Sequence, residues 1–184
     1  MDEFIKLTGE EEEHYSKYLT EIVLGTRSVL LGAYDCKMYE SMINCESPIE
    51  QLMALALLDC RERIDFSFDD KIYWLATNNQ EEIEIKSKKY RVDFYLHFVF
   101  KYDKNIGELN LIIECDGHDF HEKTKEQVIK GNERDRELQK ENYDILHFSG
   151  SEIYNHLFNC EKEIIEYVKA KYEAFVEKCG KSDS

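Results

Sequence analysis

Residues 108–121, Glu-Leu-Asn-Leu-Ile-Ile-Glu-Cys-Asp-Gly-His-Asp-Phe-His, hold an apolar run that ends abruptly in charge. Leu109, Leu111, Ile112 and Ile113 have the composition of a central strand covered on both sides. Glu114, Asp116, Gly117, His118 and His121 follow directly. Alternation along a strand sends Glu114 and Asp116 to the same side, about 7 Å apart at one end of a sheet, which is compatible with a divalent-cation site. Their mutual repulsion must be offset by a metal, by a nearby Lys or Arg, or by solvent at the strand end.

The rest of the chain bounds what can surround this cluster. With 184 residues, 42% hydrophobic, one proline and eight glycines, it builds a sizeable core and leaves no room for a long flexible linker. The first residues, Met-Asp-Glu-Phe-Ile-Lys, carry no apolar leader core. No stretch approaches the roughly eighteen apolar residues of a membrane span. The expectation is a cytoplasmic protein with no membrane contact. Six cysteines stand far apart with no Cys-x2-Cys pair and read as buried hydrophobes or surface thiols. Cys115-x2-His118-x2-His121 is too tight for a zinc finger, and no second Cys pair completes one.

A net charge of −15 argues against wide contact with phosphates, because such affinity comes from Lys and Arg. The charge is uneven. Residues 1–60 carry twelve acids and four bases, whereas residues 86–104 carry six bases (Lys86, Lys88, Lys89, Arg91, Lys101, Lys104) and two acids.

Thr8 and Glu11 form a capping-box pattern ahead of an amphipathic helix over 9–24, and Val29–Leu31 suggest a second helix. Ser47-Pro48-Ile49-Glu50 is another capping box, opening a helix that is apolar almost all round. There, a carboxylate at Glu50 bonding the Ser47 amide is a complete structural account of that residue. Lys71–Ala76 reads as a strand, Asn78-Asn79 as its turn and Glu81–Lys86 as a second strand with one wet face. Over 89–101, Tyr90, Val92, Phe94, Leu96, Phe98 and Phe100 share one face, with Asp93 opposite among Arg91, Tyr95 and His97. A turn at 103–107 leads to the strand 108–115, making an antiparallel hairpin. Residues 122–141 read as a helix with Val128 and Leu138 inward. Tyr143–Phe148 is a short strand, Gly150-Ser151 starts a helix with Ser151 as its cap, and 160–178 make a final amphipathic helix. This order gives an α/β fold of three layers, a mixed sheet of about four strands flanked by helices, comprising residues 47–184, with residues 1–46 an acidic helical extension packed on it.

Asp93 and Glu114 on neighbouring strands can face each other across one sheet surface. With Asp116 they form a hard, oxygen-rich set suited to Mg²⁺ or Mn²⁺. A metal so held polarises a phosphodiester and lowers the pKa of bound water, which is hydrolytic nuclease chemistry. Arg91-Val-Asp93-Phe-Tyr, Ile112-Ile-Glu114-Cys-Asp116-Gly-His118-x2-His121 and Arg134-Asp-Arg-Glu-Leu-Gln139-x3-Tyr143-Asp-Ile-Leu-His-Phe-Ser-Gly-Ser-Glu-Ile, taken in order, resemble the small PD-(D/E)XK endonuclease-like proteins related to very-short-patch repair endonucleases. The resemblance covers about residues 47–160. It implies a restriction-endonuclease-like core, with Asp93 and Glu114 binding the catalytic cation and Glu50 of the first core helix completing the site. Gln139 and Tyr143 match an accessory Gln-x3-Tyr pattern of some branches.

The usual Glu-x-Lys ends here in Asp116. The resemblance then leaves His118, His121, or Lys123 or Lys125 of the following helix to supply the proton-handling or cationic group. Glu84-Ile85-Lys86, with Asp70 upstream, is a literal Glu-x-Lys, but its strand lacks the apolar run of a central one. Lys89, Arg91, Lys123, Lys125, Arg134 and Gln139 are the candidate nucleic-acid contacts, set against a salt-bridged, solvated face for the 122–141 helix. His97 and His147 read as core histidines. The resulting expectation is a Mg²⁺-dependent (or Mn²⁺-dependent) DNA endonuclease, with a possible protein partner on the acidic N-terminal helices. The alternative is an inactive nuclease fold acting as an acidic interaction module or DNA mimic.

Overall fold

The computed structural model describes residues 45–68, 71–117 and 124–182. Those residues form an α/β fold of one four-stranded mixed sheet and three helices: α1 (Pro48–Phe68), β1 (Ile72–Ile85), β2 (Lys88–Tyr102), β3 (Asn105–Asp116), α2 (Lys125–Lys140), β4 (Tyr143–Ser149) and α3 (Gly150–Ser182). The strands lie in sequence order; β1, β2 and β3 pair antiparallel, and β4 runs parallel to β3 after the α2 crossover. The expected helices of the N-terminal extension fall outside the described residues. None of the described helices is long and apolar enough to cross a membrane.

Ile112 and Ile113 show how the sheet is covered. Consecutive strand residues point to opposite faces. Ile113 packs with Phe94, Leu96 and Phe98 of β2 against Leu52, Met53 and Ala56 of α1 and Ile153, Ile164 and Val168 of α3. Ile112 packs on the other face with Val92, Ile83, Ile85 and Leu138 of α2. Both isoleucines are fully buried.

Several expectations need correction. Asn78 and Asn79 do not turn the chain: they pair with Tyr95 and Phe94 inside one long strand. The true hairpin turn is Lys86-Ser87, both at positive φ (49° and 70°), the signature of the two-residue type I′ turn whose twist matches that of the strands. Tyr90 and Val92 do not share a face with Phe94; they join the α2 side. The alternation breaks at Asp93, level with Gln80 of β1, which takes a left-handed φ of 53°. Val128 is 45% exposed rather than inward, so α2 buries only Leu138 fully. The cap of α3 is Ser149, two residues before Ser151: its hydroxyl accepts from the Glu152 amide at 3.3 Å, and the Glu152 carboxylate accepts from the Ser149 amide at 2.8 Å. The helix does begin at Gly150, as expected, but runs through a bend at His156 to Ser182 as one element.

Candidate active site

Phe94 and Ile113 form the last paired rung between β2 and β3, and Asp93 and Glu114 stand one residue beyond it on their strands. There the break in β2 turns the Asp93 carboxylate toward β3, where its Oδ2 accepts from the Cys115 amide at 2.7 Å. Glu114 is ion-paired with Arg134 of α2, whose guanidinium also donates to the Arg91 carbonyl at 3.0 Å. The two side chains keep only 12% and 22% of their surface exposed. Of the three ways of offsetting the carboxylate cluster, an arginine is the one present within the protein.

Glu50 reaches the same region from the start of α1. It is buried, and its carboxylate accepts from the Glu46 amide at 2.8 Å, the Ser47 hydroxyl at 2.7 Å and the Gln80 side-chain amide at 2.7 Å. The cap differs from the expected one, the amide Glu50 accepts from being that of Glu46 rather than Ser47, and it is incomplete as an account, because the bond from Gln80 ties the carboxylate to the distorted segment of β1. Asp116 is held by His147 of β4, Nδ1 to Oδ2 at 2.9 Å, while His147 Nε2 lies 3.2 Å from Asp135 of α2.

Burial governs the electrostatics. It pushes the Glu114 carboxyl up to about 7, against the opposing pull of Arg134 and with a further push from Asp93. Asp93 is raised chiefly by burial, opposed by the Cys115 amide, with Glu50 and Asp116 adding to the rise. Burial is thus the main cause of both shifts, and the neighbouring carboxylates add to it. The Cys115 thiol is driven well above its usual range by burial and by Asp93, Glu50 and Glu114, which disfavours its thiolate.

Asp93 lies within electrostatic reach of Glu50, Glu114, Asp116 and Arg134, and of these Arg134 is bonded to Glu114. The other expected contacts do not join them. Lys89 pairs with Glu82 and Arg91 with Glu46. Lys125 is exposed at the start of α2. Gln139 lies at the opposite end of that helix, beside a cavity of about 320 Å³ formed with Phe100, Gly107, Lys171 and Phe175. His118, His121 and Lys123 lie outside the described residues, as does Asp70. The literal Glu-x-Lys sits apart, with Glu84 exposed and Lys86 in the hairpin turn, paired with Glu141 at 3.2 Å.

His147 and Asp135 were missed. His147 is an exposed residue rather than a core histidine, and it pairs with Glu114 in the register of β3 and β4. Asp135 and Arg134 precede Leu138 by three and four positions, so all three share the sheet-facing side of α2. That spacing was a usable signal once Leu138 was placed inward.

The donor set is all carboxylate, the chemistry a hard divalent cation prefers, and two of its members, Asp93 and Glu114, are raised chiefly by burial. Among the described residues, however, no group of three or more His, Cys, Asp or Glu side chains is placed to hold a metal ion. Arg134 on Glu114 and the Cys115 amide on Asp93 instead supply the partners those carboxylates have. No family model, curated protein or solved structure matches the chain, so the reading of this site rests on its own residues.

Proposed function

We propose that the chain is a divalent-cation-dependent DNA endonuclease with the three-layer restriction-endonuclease-like core of the PD-(D/E)XK proteins its motifs resemble. The observation that carries this reading is the gathering of Glu50, Asp93, Glu114 and Asp116, from one helix and two strands, at the end of the sheet where parallel β3 and β4 terminate. In open α/β sheets, ligands bind outside the carboxyl ends of strands. Asp93, Glu114 and Glu50 would hold Mg²⁺ or Mn²⁺. The bound ion supplies Lewis-acid polarisation of a phosphodiester and a more acidic water. Asp116, oriented by His147, shapes the rim of the site. Arg134 provides the positive charge that Glu-x-Lys would have placed at position 116. His118 and His121 follow on the same segment and are the proposed proton-handling groups. The test is incubation of purified protein with single-stranded, double-stranded and branched DNA, with and without Mg²⁺ or Mn²⁺. Cleavage in the presence of the cation, abolished in folded Asp93→Ala and Glu114→Ala variants, is the expected result. Undiminished cleavage by both variants removes these residues from the chemistry.

One observation favours a second reading, an acidic interaction module or DNA mimic. Of the six bases in the 86–104 strip, Lys86, Lys88, Lys89 and Arg91 are each paired with a glutamate (Glu141, Glu137, Glu82 and Glu46). With a net charge of −15, the chain then has the makings of a ligand for basic proteins. Salt-sensitive binding to a basic protein, with no heat on adding Mg²⁺, selects it.

A further inference from the structure

We infer that Arg134 is a built-in counter-ion of the site, held on Glu114 until a divalent cation takes over that carboxylate and then released to hold a phosphate of the nucleic-acid backbone. The inference rests on the nuclease reading. Arg134 lies between the Glu114 side chain and the Arg91 carbonyl, mostly shielded from water, and its charge also acts on Asp93. A guanidinium cannot discharge, so Glu114 can be freed of it only by exchange for another cation or by protonation. The planar fork that binds a carboxylate also fits a phosphate oxygen pair, which gives the displaced group a natural partner in a DNA substrate. The element that carries it is suited to the exchange: Leu138 is the only fully buried residue of α2, and the helix positions from Lys125 to Lys130 are exposed. The side chain can therefore leave Glu114 without repacking the sheet. Asp135, next in sequence, lies 3.9 Å from the Arg134 Nη1 and offers a way-station outside the metal-binding carboxylates.

The exchange predicts opposite effects of one substitution on two ligands, which a merely structural arginine would not give. Mn²⁺ titrated calorimetrically into intact Arg134→Gln should bind at least tenfold tighter than to the wild-type chain, because the internal competitor is gone. The same variant should bind a double-stranded oligonucleotide in Ca²⁺ at least tenfold more weakly. Mn²⁺ affinity in a folded Arg134→Gln that is equal to or below wild type overturns the inference. A second readout is made on the wild-type chain itself. In wild-type protein, Mg²⁺ should shift the Arg134 Nε–H resonance, identified by its loss in Arg134→Lys; Mg²⁺ binding with that resonance unmoved also overturns it. Asp93→Asn serves as the separate control. If it binds Mn²⁺ as the wild type does, or if the wild type binds none, the cation site itself is wrong and the nuclease reading fails with it.

Discussion

Glu114 sets the charge balance of the site, and its linkage to pH is testable without any substrate. Its carboxyl titrates at about 7 in the folded chain against an ordinary value of 4.5. Between those limits the folded state binds more protons than the unfolded one, so stability falls as pH rises from about 4.5 to about 7 and is lowest once Glu114 is ionised. Asp93, raised by burial, adds a contribution of the same sign. Glutamine mimics the protonated carboxyl. In EDTA, the melting temperature of Glu114→Gln relative to wild type should therefore be higher at pH 8 than at pH 5, measured by circular dichroism; a difference that is flat or falls with pH contradicts the burial argument. Glu50 responds differently, because its oxygens accept from Glu46, Ser47 and Gln80. Glu50→Ala removes a cap and leaves the Gln80 amide without its acceptor, a loss of about 1–2 kcal/mol in a denaturant titration. At this scale the sequence named the carboxylates, because charge at the end of an apolar strand is a local anomaly. It did not name Arg134 as the partner of Glu114, nor His147 as that of Asp116. Those pairings depend on how α2 and β4 dock, which no short stretch of residues encodes.

At the level of elements, alternation marked β2 and β3 because both are covered on two faces or nearly so, whereas turn chemistry misled. Asn78-Asn79 has local turn propensity, yet β2 is fifteen residues long and offers backbone partners along its whole length. Pairing those groups outweighs a local preference. The chain turns instead at Lys86-Ser87, two residues poorly suited to left-handed backbone. Replacing them with Asn-Gly should stabilise the protein by about 0.5–1 kcal/mol, seen as a higher urea midpoint at unchanged slope. The start of α3 gives a paired comparison. Ser149→Ala, which loses the hydroxyl's bonds with the Glu152 amide and carboxylate, should cost about 1 kcal/mol, while Ser151→Ala, which loses only a 3.1 Å bond to the Ser149 hydroxyl, should cost clearly less. Equal losses would restore Ser151 as the cap. The break in β2 at Asp93 lay beyond sequence pattern altogether: a strict period of two predicts one face for Val92 and Phe94, and the aspartate needed at the site is turned toward β3 where that period fails.

Across the whole molecule, the question is how a chain of net charge −15 approaches a polyanion. Counting bases in the sequence located a cationic strip over 86–104, but sheet pairing (Glu82), α2 and its cap (Glu137, Glu141) and the segment before α1 (Glu46) bring glutamates to four of its six bases. Exposed pairs of this kind add little to stability, yet they remove cations from the set available to phosphates. Electrostatic attachment to DNA scales with the number of phosphates neutralised, the slope of log affinity against log salt being about −0.9 for each. A strip already paired with its own acids should give a shallow slope in EDTA, no steeper than about −2, together with weak binding. On the proposed reading, a divalent cation at the carboxylates would change both terms, cancelling charge where the backbone would approach and freeing Arg134. Affinity for a double-stranded oligonucleotide, measured by fluorescence anisotropy in non-cleaving Ca²⁺, should rise at least tenfold over EDTA at matched ionic strength. That gain should vanish in Asp93→Ala. A slope near −5 in EDTA would mean that the strip opens its salt bridges to bind DNA directly. Affinity indifferent to Ca²⁺ would detach recognition from the acidic site and leave the cluster of carboxylates to a protein partner instead.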